Sequence, residues 1–568
     1  MRRALAALVG SCAVGLAACN PSPPAVSVLV VTLDTTRADH LGSYGATRAR
    51  TPNLDALAAQ GIRYQHAYSP APITLPAHAS LLTGLYPFEH RVRGNGDFRL
   101  SDCAQTLAEV LQRQGYRTGA AVGAFVLDRR FGLAQGFDWY DDAISEQRTS
   151  GSFGFAERPA PAVTDAALAW LSEQPPNRPF FLWVHYFDPH AGYESHAAAS
   201  EFSGLPPYDA EIAFVDREIG RLLGWLRESG RDTETLVVAA ADHGEGLWEH
   251  GEISHGYFVY DSTLRAALIV RLPDRAHAGS AVAAPVSLVD VFPTVLERLG
   301  IPVGDVSGET LPLVEHETGA APRSIYFENY AVATSFGLSP LRGIVRGRDK
   351  WIEAPRPERY DLVSDPHEID NRHQRDDPGS AELRAAFERF LDDDERRLPD
   401  DCESSFAVDA DTAARLNTLG YAAGFARREP GDRVGGPDPK DAVEDHRAIL
   451  DAEARVGVGQ RAQAAEVLAA IVGRIDYVNP RALTRLAELA VAEPGRETAI
   501  AALLPYLERD LDPALHFTIA AKLGVGLGRI GRYAEAVHAF EIAARLGPDN
   551  AEVRRGLEAA RRLQIGVP

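Results

Sequence analysis

The sequence predicts a mainly parallel α/β sheet flanked by helices, followed by an all-helical domain, and three observations carry that prediction. Short β-branched runs alternate with helical periodicities from Val26 onward. Carboxylates and imidazoles fall where several of those runs end. Beyond residue 440 the chain is nearly all Ala, Leu, Glu and Arg, with no β-like run. At 568 residues the chain exceeds what one ordinary core accommodates, so at least two domains are expected.

The first nineteen residues, MRRALAALVGSCAVGLAAC, combine a basic start with an apolar run of about fifteen residues, too short to span a bilayer comfortably. They read as an export signal. The junction Leu16-Ala17-Ala18-Cys19 resembles the bacterial lipobox, which implies lipidation of Cys19 and a mature chain tethered to the cell envelope, with the periplasm the expected compartment. Asn20 to Pro24 (NPSPP) supply an extended spacer; the alternative is a cleaved signal whose cysteine is incidental. No later segment is long and apolar enough to cross a membrane.

VSVLVVTLD is a buried strand ending in Asp34, and TPNLDALAAQG and TLAEVLQRQG are helices with glycine stops. YRTGAAVG, PFFLWVHYFD and ETLVVAAADHG are further strands, the last two delivering His185, Asp188, Asp242 and His243 near their carboxyl ends. The stretch SPAPITLPAHASLLTGLYP (residues 69–87) turns midway from loop composition to an apolar-periodic run, placing Thr74 at a helix N-terminus. This domain is assigned to residues 26–424, a charged Gly/Pro linker to 425–440 and the helical domain to 441–568.

Within the last domain, Leu523, Gly524, Gly531, Tyr533, Ala536, Phe540, Ala543 and Pro548 match the packing positions of tetratricopeptide helices, and 456-VGVGQRAQAAEVLAAIV-472 echoes them. About three helix pairs fit, and a plain helical bundle is the alternative. Such an array implies a protein partner in its concave groove.

A formal charge of −21 with no basic stripe argues against binding nucleic acid or anionic lipid headgroups. An anionic substrate must therefore be drawn in by local positive charge, such as a metal. Of four cysteines, Cys12 and Cys19 belong to the signal, so Cys103 and Cys402 are the candidate disulfide in an oxidising compartment.

Asp34, Asp242 and His243 converging from separate strands suit a divalent cation, although each alone is equally a helix cap or a turn residue. The series VLVVTLDTTRADHLGSYG, TPNLDALAAQGIRYQHAY, TLPAHASLLTGLYP, HYFDPHAGY, ADHGEGLWEHG, HGYFVYDSTLRAALIVRLP and YDLVSDPHEIDN resembles the sulfatases and the wider alkaline phosphatase superfamily, from about residue 26 to 371. The sulfatase nucleophile motif is Cys or Ser, any residue, Pro, any residue, Arg. Here those positions read Thr74, Leu75, Pro76, Ala77 and His78.

The resemblance implies an alkaline-phosphatase-like fold and a single metal held by Asp34, Thr74, Asp242 and His243. Mn, Zn or Mg fits that shell better than Ca, which prefers all-oxygen ligands. Sulfatases carry a second Asp where this chain has Thr35, so one hard ligand is missing. The sulfatase Cys or Ser becomes formylglycine, an aldehyde that threonine cannot form. A Thr hydroxyl at a helix N-terminus can attack directly, as in superfamily phosphodiesterases, which favours phosphate or phosphonate esters. By position, His78 would donate to an ester oxygen when protonated, His190 and His255 would contact the substrate oxyanion or protonate the leaving group, and Asn95 and His185 would bind substrate. A second metal at Asp188 and His190 is the less favoured arrangement. The competing functions are a sulfuric ester hydrolase and an inactive scaffold whose helical tail binds a partner.

Overall fold

The computed structural model describes residues 26–96, 98–144, 158–190, 192–193, 202–314, 322–373, 377–392, 398–399, 402, 404, 412, 416 and 436–566. The export signal with Cys19, and residues 425–435 of the linker, lie outside the described residues.

Ser27–Leu33 (SVLVVTL) is the central strand because every residue is buried and β-branched residues dominate it, as a strand covered on both faces requires. It pairs in parallel with Phe180–Tyr186 on one side and Thr235–Ala241 on the other. The full eight-stranded order is Ser280–Val282, Ile62–Tyr64, Leu268–Arg271, Thr235–Ala241, Ser27–Leu33, Phe180–Tyr186, Arg117–Ala121 and Trp139–Asp141. Leu268–Arg271 alone runs against both neighbours; the other pairings are parallel, so the architecture is a mixed α/β fold with a large, mainly parallel sheet.

Two small sheets are not foreseen by the sequence reading. Val286–Ser287, Ala67–Tyr68 and Arg265–Ala266 form one. An antiparallel sheet of Ser324–Asn329, Leu341–Arg346, Asp349–Glu353 and Glu358–Asp361 forms the other. Cys103 and Cys402 are disulfide-bonded, their Cα atoms 6.0 Å apart.

From Val443 to Gln564 the described chain is helical: Val443–Gly457, Arg461–Arg474, Pro480–Ala490, Arg496–Leu503, Pro513–Arg529, Tyr533–Leu546 and Ala551–Gln564. Small residues set the spacing. A Cβ on Gly524 would come within 2.8 Å of the Phe540 ring, and one on Gly556 within 2.6 Å of it, so both glycines admit one aromatic wedge between three helices.

This array is not a loose appendage. One apolar core runs from Tyr257 and Phe258 through Phe327 and Phe336 to Ile449, Leu468 and Leu486. The His446 ring stacks on Tyr257 at 4.2 Å, and the Tyr257 hydroxyl donates to the Pro439 carbonyl (2.8 Å). Among the described residues no helix is long and apolar enough to cross a membrane.

Candidate active site

Helix Thr74–Thr83 begins at Thr74 and is buried at all ten positions; Gly84, at φ 72°, ends it in the left-handed conformation that glycine adopts freely. The Thr74 hydroxyl oxygen is buried and makes no hydrogen bond within 3.5 Å among the described residues, the Asp34 carboxylate being the acceptor it faces. The Leu75 N–H donates to Asn95 Oδ1 (2.9 Å), which puts the Asn95 amide at the same helix start, and Asn95 Nδ2 is also without a partner there. A buried hydroxyl left unpaired costs on the order of 1–3 kcal/mol unless something else satisfies it.

Sheet register places the acidic residues around this oxygen. Leu33 pairs with Ala241, so Asp34 and Asp242 are the next residues on neighbouring parallel strands. Asp242 Oδ1 accepts the N–H groups of Thr35 (3.1 Å) and His243 (2.8 Å), fixing the carboxylate and leaving Oδ2 unpaired. His243 Nδ1 lies 2.9 Å from the Gly244 carbonyl, an acceptor only, so Nδ1 carries the proton and Nε2 presents a lone pair. Ligand atoms of Asp34, Asp242 and His243 lie within 4.8 Å of one another. Burial pushes Asp34 up to about 7, and burial with the Asp34 charge beside it pushes Asp242 up to about 8. Burial also lowers the His243 pKa, keeping the ring neutral.

Two buried carboxylates with unpaired oxygens beside a neutral imidazole lone pair make a donor set that fits a divalent cation. His78, His185 and Asp242 form a second such group, sharing Asp242. His185, expected on the substrate face, is fully buried with Nε2 3.2 Å from Asp34 Oδ2, which places it with the cation donors. Asp188, considered for a second metal, instead accepts the Ala160 N–H (3.0 Å) at the start of helix Ala160–Ser172. Thr35 turns away from the donors: its backbone is left-handed (φ 48°), unusual for a β-branched residue, and its hydroxyl donates to the Pro189 carbonyl (2.8 Å).

His78 corrects its expectation. Its Nδ1 lies 2.8 Å from the Thr74 carbonyl and its Nε2 3.0 Å from the Thr32 hydroxyl, so both nitrogens are engaged within the protein. Burial drives its pKa down to about 3. A neutral ring with no free N–H cannot be the protonated donor to an ester oxygen.

His190 and His255 lie together, ring centroids 4.9 Å apart, and His255 is 4.6 Å from His243. His255 Nδ1 is 3.1 Å from the Ser254 hydroxyl and 3.3 Å from Glu245 Oε1, and burial depresses its pKa. Glu245 is the residue the sequence reading missed. It is fully buried, its Oε2 has no partner among the described residues, and burial raises its pKa against the opposing His190 and His243. The signal was present in ADHGE, one residue beyond the recognised Asp-His-Gly.

Comparison with known proteins follows the same lines. Residues 27–301 match the sulfatase family model, and residues 249–396 match the C-terminal model of N-sulphoglucosamine sulphohydrolase. The N-acetylglucosamine-6-O-sulfatase of Bacteroides thetaiotaomicron is 25% identical over 63% of this chain and 85% of its own length. An uncharacterized sulfatase of Escherichia coli is 27% identical over 60% and 82%. Among solved structures, one in complex with its substrate D-glucosamine-2-N,6-O-disulfate superimposes with a TM-score of 0.57 at 21% identity, covering 66% of this chain and 100% of that one. The phosphonate monoester hydrolase of Agrobacterium radiobacter gives 0.53 at 23%, covering 65% and 95%. The segment 27–301 thus matches the sulfatase family, and the chain is a hydrolase acting on ester bonds, as the relatives it matches are.

Proposed function

We propose that this chain cleaves phosphate or phosphonate esters with Thr74 as its nucleophile. The observation that carries the proposal is the unpaired, buried Thr74 hydroxyl at a helix start, next to the unpaired oxygens of Asp34 and Asp242 and the lone pair of His243. Asp34, Asp242, His243 and Thr74 would hold one divalent cation, which supplies Lewis-acid charge neutralisation when bound. Thr74 would release its hydroxyl proton to solvent, its Oγ1 would form the bond to the ester centre as the bond to the alcohol opposite it breaks, and the helix start would stabilise the anion. The adjacent rings of His190 and His255 would contact the oxyanion or protonate that alcohol, the depressed pKa of His255 favouring the contact for it, and the Asn95 amide, beside the Leu75 N–H, would donate to a non-bridging oxygen. Water then cleaves the threonine ester by attack at phosphorus, an exchange that needs no aldehyde.

Sulfate ester cleavage is the second reading, favoured by sulfatase relatives such as that of Bacteroides thetaiotaomicron. A catalytically inert scaffold is disfavoured because such a chain would have no reason to keep these donors buried and unpaired. We extend the proposal to the chain's setting: Cys19 carries a lipid, the cell envelope is the compartment, and residues 441–568 form a tetratricopeptide-like array after a linker at 425–440, open to a protein partner.

The test compares p-nitrophenyl phosphate, bis-p-nitrophenyl phosphate, a phenylphosphonate ester and p-nitrophenyl sulfate, with Mn²⁺-loaded wild type and Thr74→Ala. Turnover of the phosphorus esters, reduced on the order of 10³-fold or more by Thr74→Ala, is expected. Equal activity of the variant removes Thr74 as nucleophile, and preference for the sulfate restores the sulfatase reading.

A further inference from the structure

The chain leaves the site at Glu245 and returns to it at His255. The Gly246 N–H donates to the Ser254 carbonyl (2.7 Å), closing the neck of this loop. At its tip, Leu247, Trp248 and His250 have φ values of 46°, 75° and 51°. Three left-handed non-glycine residues in four positions are held against their backbone preference, a condition that concentrates at functional loops.

The loop is fastened on every side. The Arg37 guanidinium reaches Glu249 Oε1 (2.7 Å) and the Glu245 carbonyl (3.2 Å). His250 stacks on Tyr260 at 3.7 Å, and the Trp248 N–H donates to the Glu252 carbonyl (2.7 Å). Arg447, from the first long helix of the C-terminal array, donates to the Gly251 carbonyl (2.7 Å).

One side chain stays outside this fastening. The Trp248 indole is 63% exposed, the largest hydrophobic side chain so exposed among the described residues. The Arg447 guanidinium lies 5.7 Å from its ring centroid, so a residue of the helical array backs the indole. Trp248 is three positions beyond Glu245, which limits their Cα separation to about 11 Å. A backed aromatic surface therefore stands on a loop whose two ends, Glu245 and His255, are both at the site, with its Cα no more than about 11 Å from that of Glu245.

We propose that Trp248 is a substrate-binding platform on which the ring of the esterified alcohol stacks, so that the substrates are anionic esters of ring-bearing alcohols. Arg447 is a positioning residue acting through Trp248 and the loop, and the helical array thereby contributes to substrate recognition. The proposal rests on the assignment of the reacting centre to Thr74 and the adjacent donors.

The test is calorimetric binding of methylphosphonate, phenylphosphonate and cyclohexylphosphonate to the Mn²⁺-loaded full chain. None of the three has an ester bond to cleave. Trp248→Ala should weaken the phenyl or the cyclohexyl ligand about tenfold while leaving methylphosphonate unchanged, with Trp248→Phe restoring most of the loss. Arg447→Ala should weaken the same ring ligand less, about threefold, with thermal melting checking that the variant is folded. A larger loss for phenyl points to aryl esters, and a larger loss for cyclohexyl to the saturated rings of sugars. Equal losses for all three ligands, no loss for any, or no binding by wild type overturns the proposal. Because nothing is cleaved, a wrong nucleophile leaves these results intact, while a wrong platform leaves the Thr74→Ala kinetics intact.

Discussion

His78 Nδ1 lies 2.8 Å from the carbonyl oxygen of Thr74, one helical turn behind it, while Nε2 lies 3.0 Å from the hydroxyl of Thr32 on the central strand. The Trp183 Nε1–H donates to that same hydroxyl (2.9 Å), which leaves the Thr32 proton for His78 Nε2. The proton of the ring is then on Nδ1, aimed at the Thr74 carbonyl. His78 is a neutral strut between sheet and nucleophile helix.

A strut predicts its own mutant phenotype. His78→Phe should lower kcat by roughly 10- to 100-fold by loosening Thr74, while the pH–rate profile keeps both limbs at the wild-type positions. Loss of a limb would mean that His78 titrates in the reaction, contrary to its depressed pKa of about 3.

The donor set predicts cation-linked stability. Adding Mn²⁺ to chelator-treated protein should raise the melting temperature, the gain reaching about 2.7 kcal/mol at a hundredfold excess over Kd. Asp242→Asn should abolish that gain, since Oδ2 is the unpaired oxygen facing Asp34 and His243. Differential scanning fluorimetry with and without Mn²⁺ reads both.

Acid stability should depend on Glu453. Burial alone would raise its pKa, but the guanidinium of Arg481 and that of Arg485 (2.8 Å) hold it down to about 2 from an ordinary 4.5. A folded value below the unfolded one means stability that is present above about 4.5 and lost as pH falls toward 2. The contribution at neutral pH is on the order of 3 kcal/mol. Glu453→Gln should lower the melting temperature at pH 7 and flatten its fall between pH 5 and 3.

The Cys103–Cys402 bond joins positions 299 residues apart, and the Ser404 carbonyl accepts the Arg99 N–H (2.7 Å) beside it. Leu416, fully buried, packs over Gly96, next to Asn95. Cys402→Ser should cost about 2–5 kcal/mol of stability, read as a lower melting temperature and denaturant midpoint than wild type.

The strands that end in Asp34 and Asp242 are legible in sequence because a doubly covered strand must be apolar throughout, and its terminal polar residue then stands out. Thr74 was legible for a similar reason, at the switch from loop to helical periodicity. The role of His78 was not, because its neutrality depends on Thr32 and Trp183, which reach it from two other elements. The short antiparallel strands such as Glu358–Asp361 escaped because four residues give too few alternations to read. The docking of Arg447 onto the loop that carries Trp248, and of His446 onto Tyr257 just beyond it, is a contact between distant segments, and no local pattern announces it.

The central strand is locked rung by rung to both neighbours, Val28 to Leu33 against Phe181 to Tyr186 and Ser27 to Leu33 against Thr235 to Ala241. A single codon inserted or deleted in any of the three would advance its terminal residue by about 3.3 Å and swing that side chain to the opposite face. The lineage of this protein is therefore free to exchange apolar residues along these strands, whereas a change in their length would dismantle the centre in one step.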